Sequence, residues 1–292
     1  MVPADIFISY PTMLNLASLC FPDDQKSCFY CCPPIRDPEA DPLDNIEERR
    51  AMLRRNRKAI NDNITLGQEI SGESCWGLGF LDDEEKQAGC LLHPLRHNGR
   101  DLRNLTGYQF KCANALCREA MVFAELNPDE QNFCLSLCLD MDSFAYSSRS
   151  NPLMRLLAWE TMMVQLIIID AQENRKPFLA EYKFLWQTLD FRLDGYLAFE
   201  TVRRKGIDFL RHNLDHYISL RNALIDELKK LTDDPSFRTS GDRAPIPAHR
   251  LEIPFALSRL LKFGAGLWEL PATEAELILN KTEETLEKIL LY

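Results

Sequence analysis

All ten cysteines of this 292-residue chain lie between Cys20 and Cys138, and none follows. Cysteines scattered through one common core would not be so lopsided. The distribution therefore splits the chain into a cysteine-bearing half and a half that must fold by apolar packing alone. Three of the ten, Cys28, Cys31 and Cys32, crowd into "KSCFYCCPPIRDPEAD" with two prolines directly behind them. Pro33 and Pro34 hold the exit chain extended, because each fixes its own φ and restricts the residue before it.

Compartment decides how such cysteines are read. No apolar run approaches the roughly 18 residues of a membrane-spanning helix; "MMVQLIIID" is about half that length. Asp5 and no basic residue precede "MLNLASLCF", so the charged start of a signal peptide is missing. A cytoplasmic protein is expected, and no membrane partner. There, cysteine-rich segments read as metal-binding or catalytic before they read as disulfides. A net charge of -10 argues against nucleic acid or an anionic membrane as the partner of the whole chain.

A polar stretch, "SSRSNP", marks the division into a cysteine-rich metal-binding module with helices, 1–147, and an α-helical domain, 148–292. Asn151 and Pro152 form a helix start there. Downstream, Leu153, Leu156, Leu157, Met163, Leu166 and Ile167 recur at helical spacing. Further helices are expected from Pro177, over 207–231, over "ALSRLLKF", and from a capping box at Thr273 and Glu276 to the end. Upstream, 42–62 reads as a charged helix with an apolar seam at Leu43, Ile46, Leu53 and Ile60. "CWGLGFLDDEEKQAGCLLHP" places two short apolar runs around an acidic turn, the pattern of a β-hairpin. Helices follow over "ALCREAMVFAEL" and from Asn127–Pro128. The expected fold is mainly α: an irregular cysteine-rich N-terminal module with a short β-hairpin, followed by a C-terminal helical bundle.

Folding that hairpin about its turn brings Cys75, Cys90 and His93 towards one end of the ribbon. Cys90 and His93 stand as C-x-x-H, a spacing that chelates one ion with sulfur and nitrogen. Cys112 and Cys117 add a pair at a loop-to-helix junction, where the dipole and unbonded N–H groups favour thiolates. The candidate metal ligands are thus Cys28, Cys31, Cys32, Cys75, Cys90, His93, Cys112 and Cys117. Seven thiols and one imidazole suffice for one tetrahedral zinc site or iron–sulfur cluster with reserves, or for two sites at most. The excess of sulfur and the adjacent Cys31 and Cys32 favour iron–sulfur over zinc. Cys134 and Cys138, set among Phe133, Leu135 and Leu137, read as small buried hydrophobes. Cys20 reads the same way.

The residues "SCFYCCPPIR" and "CWGLGFLDDEEKQAGCLLHP" resemble the YkgJ-like cysteine-cluster family, a zinc- or iron-chelating domain. Cys28, Cys31 and Cys32 match the end of its leading cluster, Cys75 its middle cysteine, and Cys90 with "LLHP" its hairpin return. Gln25 stands where the family places a first cysteine, and Cys112 or Cys117 would supply the closing ligand. The resemblance covers roughly 20–120 and implies metal binding without naming a reaction.

Other features point less far. Asp208, His212 and His216 share one helical face but lack a further ligand, so a solvated face is expected. "RRAMLRRNRK" carries six basic residues in ten, with Glu47 and Glu48 before it and no stacking aromatic among them. A solvated face or docking on an acidic partner is expected there, not nucleic acid. Arg100, Asp101 and Arg103 stand where they could surround the metal ligands or simply pair with one another. Two functions follow: a metalloprotein holding an iron–sulfur cluster or zinc, its reaction unspecified, or a structural zinc module that presents the helical half to a partner protein.

Overall fold

The computed structural model describes residues 18–30, 41–61, 75–107, 109–114, 117–174, 177–230, 246–248, 252–270 and 275–290. The chain divides into two units: one takes residues up to Ala124 together with Cys138–Asn151, the other Glu125–Leu137 and everything from Pro152. The fold is mainly helical, with a two-stranded antiparallel sheet in the N-terminal half.

In the first unit, helix α1 (Ile46–Asn61) lies on the hairpin of β1 (Leu78–Phe80) and β2 (Ala88–Cys90). The register pairs Leu78 with Cys90, Gly79 with Gly89 and Phe80 with Ala88. Gly79 leaves room for the close approach of α1, since a Cβ would stand 2.5 Å from Leu91 Cδ1 and 3.2 Å from the Leu53 carbonyl oxygen. Leu53, Phe29, Cys75, Leu78, Phe80, Ala88 and Phe144 form the core, with Ile46 and Met52 against it. Of the expected seam, Leu43 is instead 40% exposed. It precedes the first turn of α1 and has no face to share.

The arginines of α1 turn onto the acidic hairpin loop. Arg54 grips Glu85 through two bonds of 2.5 and 2.6 Å, and Arg57 reaches Asp83 at 2.6 Å. Asp82 closes the same loop by accepting the N–H groups of Lys86 and Gln87. Part of the basic run therefore docks on an acidic segment of its own chain.

Residues 18–30 are stitched to this hairpin and to helix α5 (Ser143–Ser147). The Ser27 hydroxyl donates to the Ala88 carbonyl at 2.7 Å and accepts the Ala88 N–H at 2.9 Å. Ser143 and Ser147 accept the N–H groups of Ser27 and Phe29, and Tyr146 donates to the Leu19 carbonyl. Between β2 and α5 run α2 (Gln109–Asn114) and α3 (Arg118–Glu125).

The second unit is helical: α4 (Pro128–Ser136), α6 (Pro152–Leu157), α7 (Thr161–Glu173), α8 (Phe178–Glu181), α9 (Phe184–Gln187), α10 (Phe191–Lys205), α11 (Ile207–His212) and α12 (Leu214–Lys230). Then come α13 (Phe255–Arg259), a π-turn (Leu260–Gly264) and α14 (Ala275–Leu290), with a ribbon of Ile246–Pro247 on Glu269–Leu270. Helix α10 packs against α7, α11, α13 and the π-turn, and α12 against α14. The helix expected over 207–231 breaks at Asn213, whose φ of -126° and ψ of 38° leave the helical region. Asp208, His212 and His216 therefore share no continuous face. His212 Nδ1 meets the Asp208 carbonyl, and the His216 ring lies edge-on to Phe209.

Helix α4 begins where its sequence says. The Asn127 side chain accepts the N–H groups of Asp129 and Glu130 at 3.0 Å, and Glu130 accepts the Asn127 N–H at 2.9 Å. Asn127→Ala removes this capping box and is expected to lower the second unit's stability by about 1 kcal/mol in urea titration. An unchanged midpoint would show that α4 is held by packing alone.

Candidate metal centre

Cys75 precedes β1 and is buried; the Gly77 N–H reaches its sulfur at 3.3 Å, and its carbonyl accepts the Leu78 N–H. Cys90 closes β2, and a tight turn returns the His93 N–H to the Cys90 carbonyl at 3.3 Å. Local hairpin geometry thus brings Cys75, Cys90 and His93 to one end of the ribbon. The loop beyond folds back on itself, with the Leu102 N–H on the Leu92 carbonyl. It carries Asp101 and Arg103, joined through two side-chain bonds of 2.9 and 2.8 Å. Arg103 then donates to the Cys112 carbonyl at 2.7 Å, which ties α2 to the hairpin end.

The electrostatics report the same neighbourhood. Burial pushes the Cys75 thiol up to about 11, and Cys90 and Cys112 add to the shift. Burial raises the Cys90 thiol too, with Cys112 again adding. It also raises the Cys112 thiol, against the opposing pull of Arg103 and Lys111. Burial and then Arg103 lower the His93 imidazole, while hydrogen bonds from Arg103 hold Asp101 down at about 2. Cys90, Cys112 and His93 therefore feel the same ion pair. Even so, among the described residues no three His, Cys, Asp or Glu side chains stand close enough together to hold a metal ion.

Cys117 sits just before α3, where its sulfur accepts the Ala120 N–H at 3.4 Å. Cys28 donates its N–H to the Cys20 carbonyl at 2.9 Å. Cys31 and Cys32 lie outside the described residues. Cys134 and Cys138 are buried at 0% and 1% exposure. All eight described cysteines stand as thiols.

A second thiol neighbourhood surrounds Tyr146, whose phenol is raised by burial and then by Cys138, Cys28 and Cys20. The neutral spacing of these three cysteines in sequence carries no signal for it. Burial pushes the Cys138 thiol from an ordinary 9.0 up to about 11. The fold favours the protonated thiol, so this contribution is whole below pH 9 and is lost as pH rises to about 11. Cys138 should contribute about 2 kcal/mol to the fall in unfolding free energy measured in urea across that window. Cys138→Ala should flatten the slope between pH 9 and 10; an unaltered slope assigns the loss elsewhere.

No protein-family model, no curated protein and no solved structure matches this chain. Among the described residues no single helix is long and apolar enough to cross a membrane.

Proposed function

We propose that the first unit is a metal-binding module in which Cys75, Cys90 and Cys112 hold zinc or an iron–sulfur cluster, with His93, Cys31, Cys32 and Cys117 as further donors. The end of the hairpin carries the reading: Cys75 precedes one strand, Cys90 closes the other opposite Leu78, and Arg103 ties the Cys112 backbone to it. These thiols come from three separate stretches of chain, yet Cys90 and Cys112 both raise the Cys75 thiol, and Cys112 raises the Cys90 thiol. A core cysteine acts as a small hydrophobe, and that role gives no reason for thiols from separate stretches to lie near one imidazole and one ion pair. Sulfur with imidazole is a donor set for zinc or iron. Arg103, fixed by Asp101, would offset thiolate charge and orient the Cys112 backbone. The cysteine pattern's resemblance to the YkgJ-like family points the same way.

A structural zinc site is the second reading, and the small core of the first unit favours it. Loop-rich modules of this kind draw folding free energy from the metal. Anaerobic purification of the full chain followed by metal and sulfide analysis separates the readings. Brown protein with iron and acid-labile sulfide supports a cluster, and colourless protein with stoichiometric zinc supports the structural site. Protein that retains neither and takes up neither on reconstitution overturns both.

A further inference from the structure

The second unit contains an open cavity of about 440 Å³, within the span of small-ligand sites. One wall is a face of α12, where Arg221, Ile225 and Lys229 follow at helical spacing. Leu193 of α10 faces it, with Phe263 and Gly264 of the π-turn. Gly264 lets that turn come close, since a Cβ there would stand 3.1 Å from Ile225 Cδ1 and from Leu260 Cδ1.

Arg221 is held from behind. Its Nη1 donates at 3.3 Å to both carboxylate oxygens of Asp194, which is fully buried. Asp194 also accepts the Tyr217 hydroxyl at 3.0 Å and the Asp190 N–H at 2.7 Å. Stability alone is a poor reason for this arrangement, because apolar replacements of a buried ion pair are often neutral or stabilising. What it achieves is a guanidinium fixed at the cavity wall. Among the described residues, its Nε and Nη2 make long contacts of 3.4 and 3.5 Å to Asn222 Oδ1.

The lining carries two cations, Arg221 and Lys229, one carboxylate, Asp226, and the Phe263 ring. Lys262 stands 5.2 Å and Arg192 5.8 Å from the Phe263 ring centroid. Of the carboxylates, Asp226 lines the cavity and lies 3.9 Å from Lys229, and Asp190 is bonded to Arg192. We infer that this cavity binds a small oxyanion, carboxylate or phosphate, carried on a planar apolar body. The anion sits between Arg221 and Lys229, and the body lies against Phe263, Leu193 and Ile225. This site belongs to the second unit and stands or falls independently of the metal centre.

Phenyl phosphate, phenylacetate, inorganic phosphate and benzyl alcohol titrated into the full chain by calorimetry test it. One saturable site is expected for an aryl anion, about tenfold tighter than for inorganic phosphate or benzyl alcohol. The tighter of the two aryl anions identifies phosphate or carboxylate as the group recognised. Lys229→Ala and Phe263→Ala, at partly exposed positions, should each weaken binding several-fold without altering the fold. Arg221→Lys should weaken it about tenfold by removing the planar fork; if that variant fails to fold, the other two decide. Absence of saturable aryl-anion binding, equal affinity for benzyl alcohol, or affinity unchanged in both exposed variants overturns the site. Binding of an acidic peptide or an oligonucleotide without aryl-anion binding overturns it as well.

Discussion

Cys90→Ser should strip the purified protein of its metal and lower the melting transition of the first unit by ten degrees or more, on the order of 3 kcal/mol. The size of the effect follows from coupling between metal and fold. Structural zinc contributes on the order of 10 kcal/mol of apparent binding free energy to small domains, and loss of one ligand forfeits a large share. Cys75→Ser should behave alike, because its sulfur sits at the same end of the ribbon. If Cys75 is only a core hydrophobe, the exchange buries one hydroxyl and costs about 1–3 kcal/mol with no change in metal content. Cys134→Ala is the control. Cys134 is fully buried in α4 of the second unit, so metal content should stay as it is. Metal-to-protein ratios that do not change in Cys90→Ser or Cys75→Ser would sink the proposed centre.

The second large effect belongs to Asp194. Asp194→Ala should destabilise the second unit by about 3–5 kcal/mol, because Tyr217 and Arg221 lose their carboxylate partner inside the protein. The geometry sets the sign. Tyr217 is fully buried, and Arg221 is 18% exposed, so water replaces neither bond freely. Burial works against the Asp194 charge, while the Asp190 N–H, Arg221 and Tyr217 work for it. The double variant Asp194→Ala with Arg221→Ala should recover part of the loss, since no uncompensated guanidinium is left. Additive losses in that cycle would show that the pair contributes no coupling.

Features set by neighbours in the chain were legible in the amino-acid order. Asn127, Pro128 and Glu130 start α4 through bonds that span three residues. The alternation of apolar runs around Asp82–Glu85 specifies a hairpin whose register leaves Cys90 opposite Leu78. Hence Cys75, Cys90 and His93 could be grouped in advance, because a ribbon brings its own ends together. Asn213 is different. Nothing in its apolar spacing distinguishes it from a helical residue, and the break appears only with α11 and α12 folded.

Contacts between distant segments were decided by tertiary structure alone. The basic run of α1 gave no sign that Arg54 and Arg57 would close on Glu85 and Asp83. Charge sign is visible in sequence, but the partner depends on which loop packing delivers. Cys112 joins the hairpin end through Arg103, and Cys138 joins Cys20 and Cys28 around Tyr146. Asp194 looks like a surface residue in "FRLDGY" and is instead the buried partner of Arg221. Cysteine content alone thus divided the chain into a cysteine-bearing half and an apolar half. Which thiols share a neighbourhood required the fold, because a side chain's local sequence carries no information about the distant backbone that will bury it.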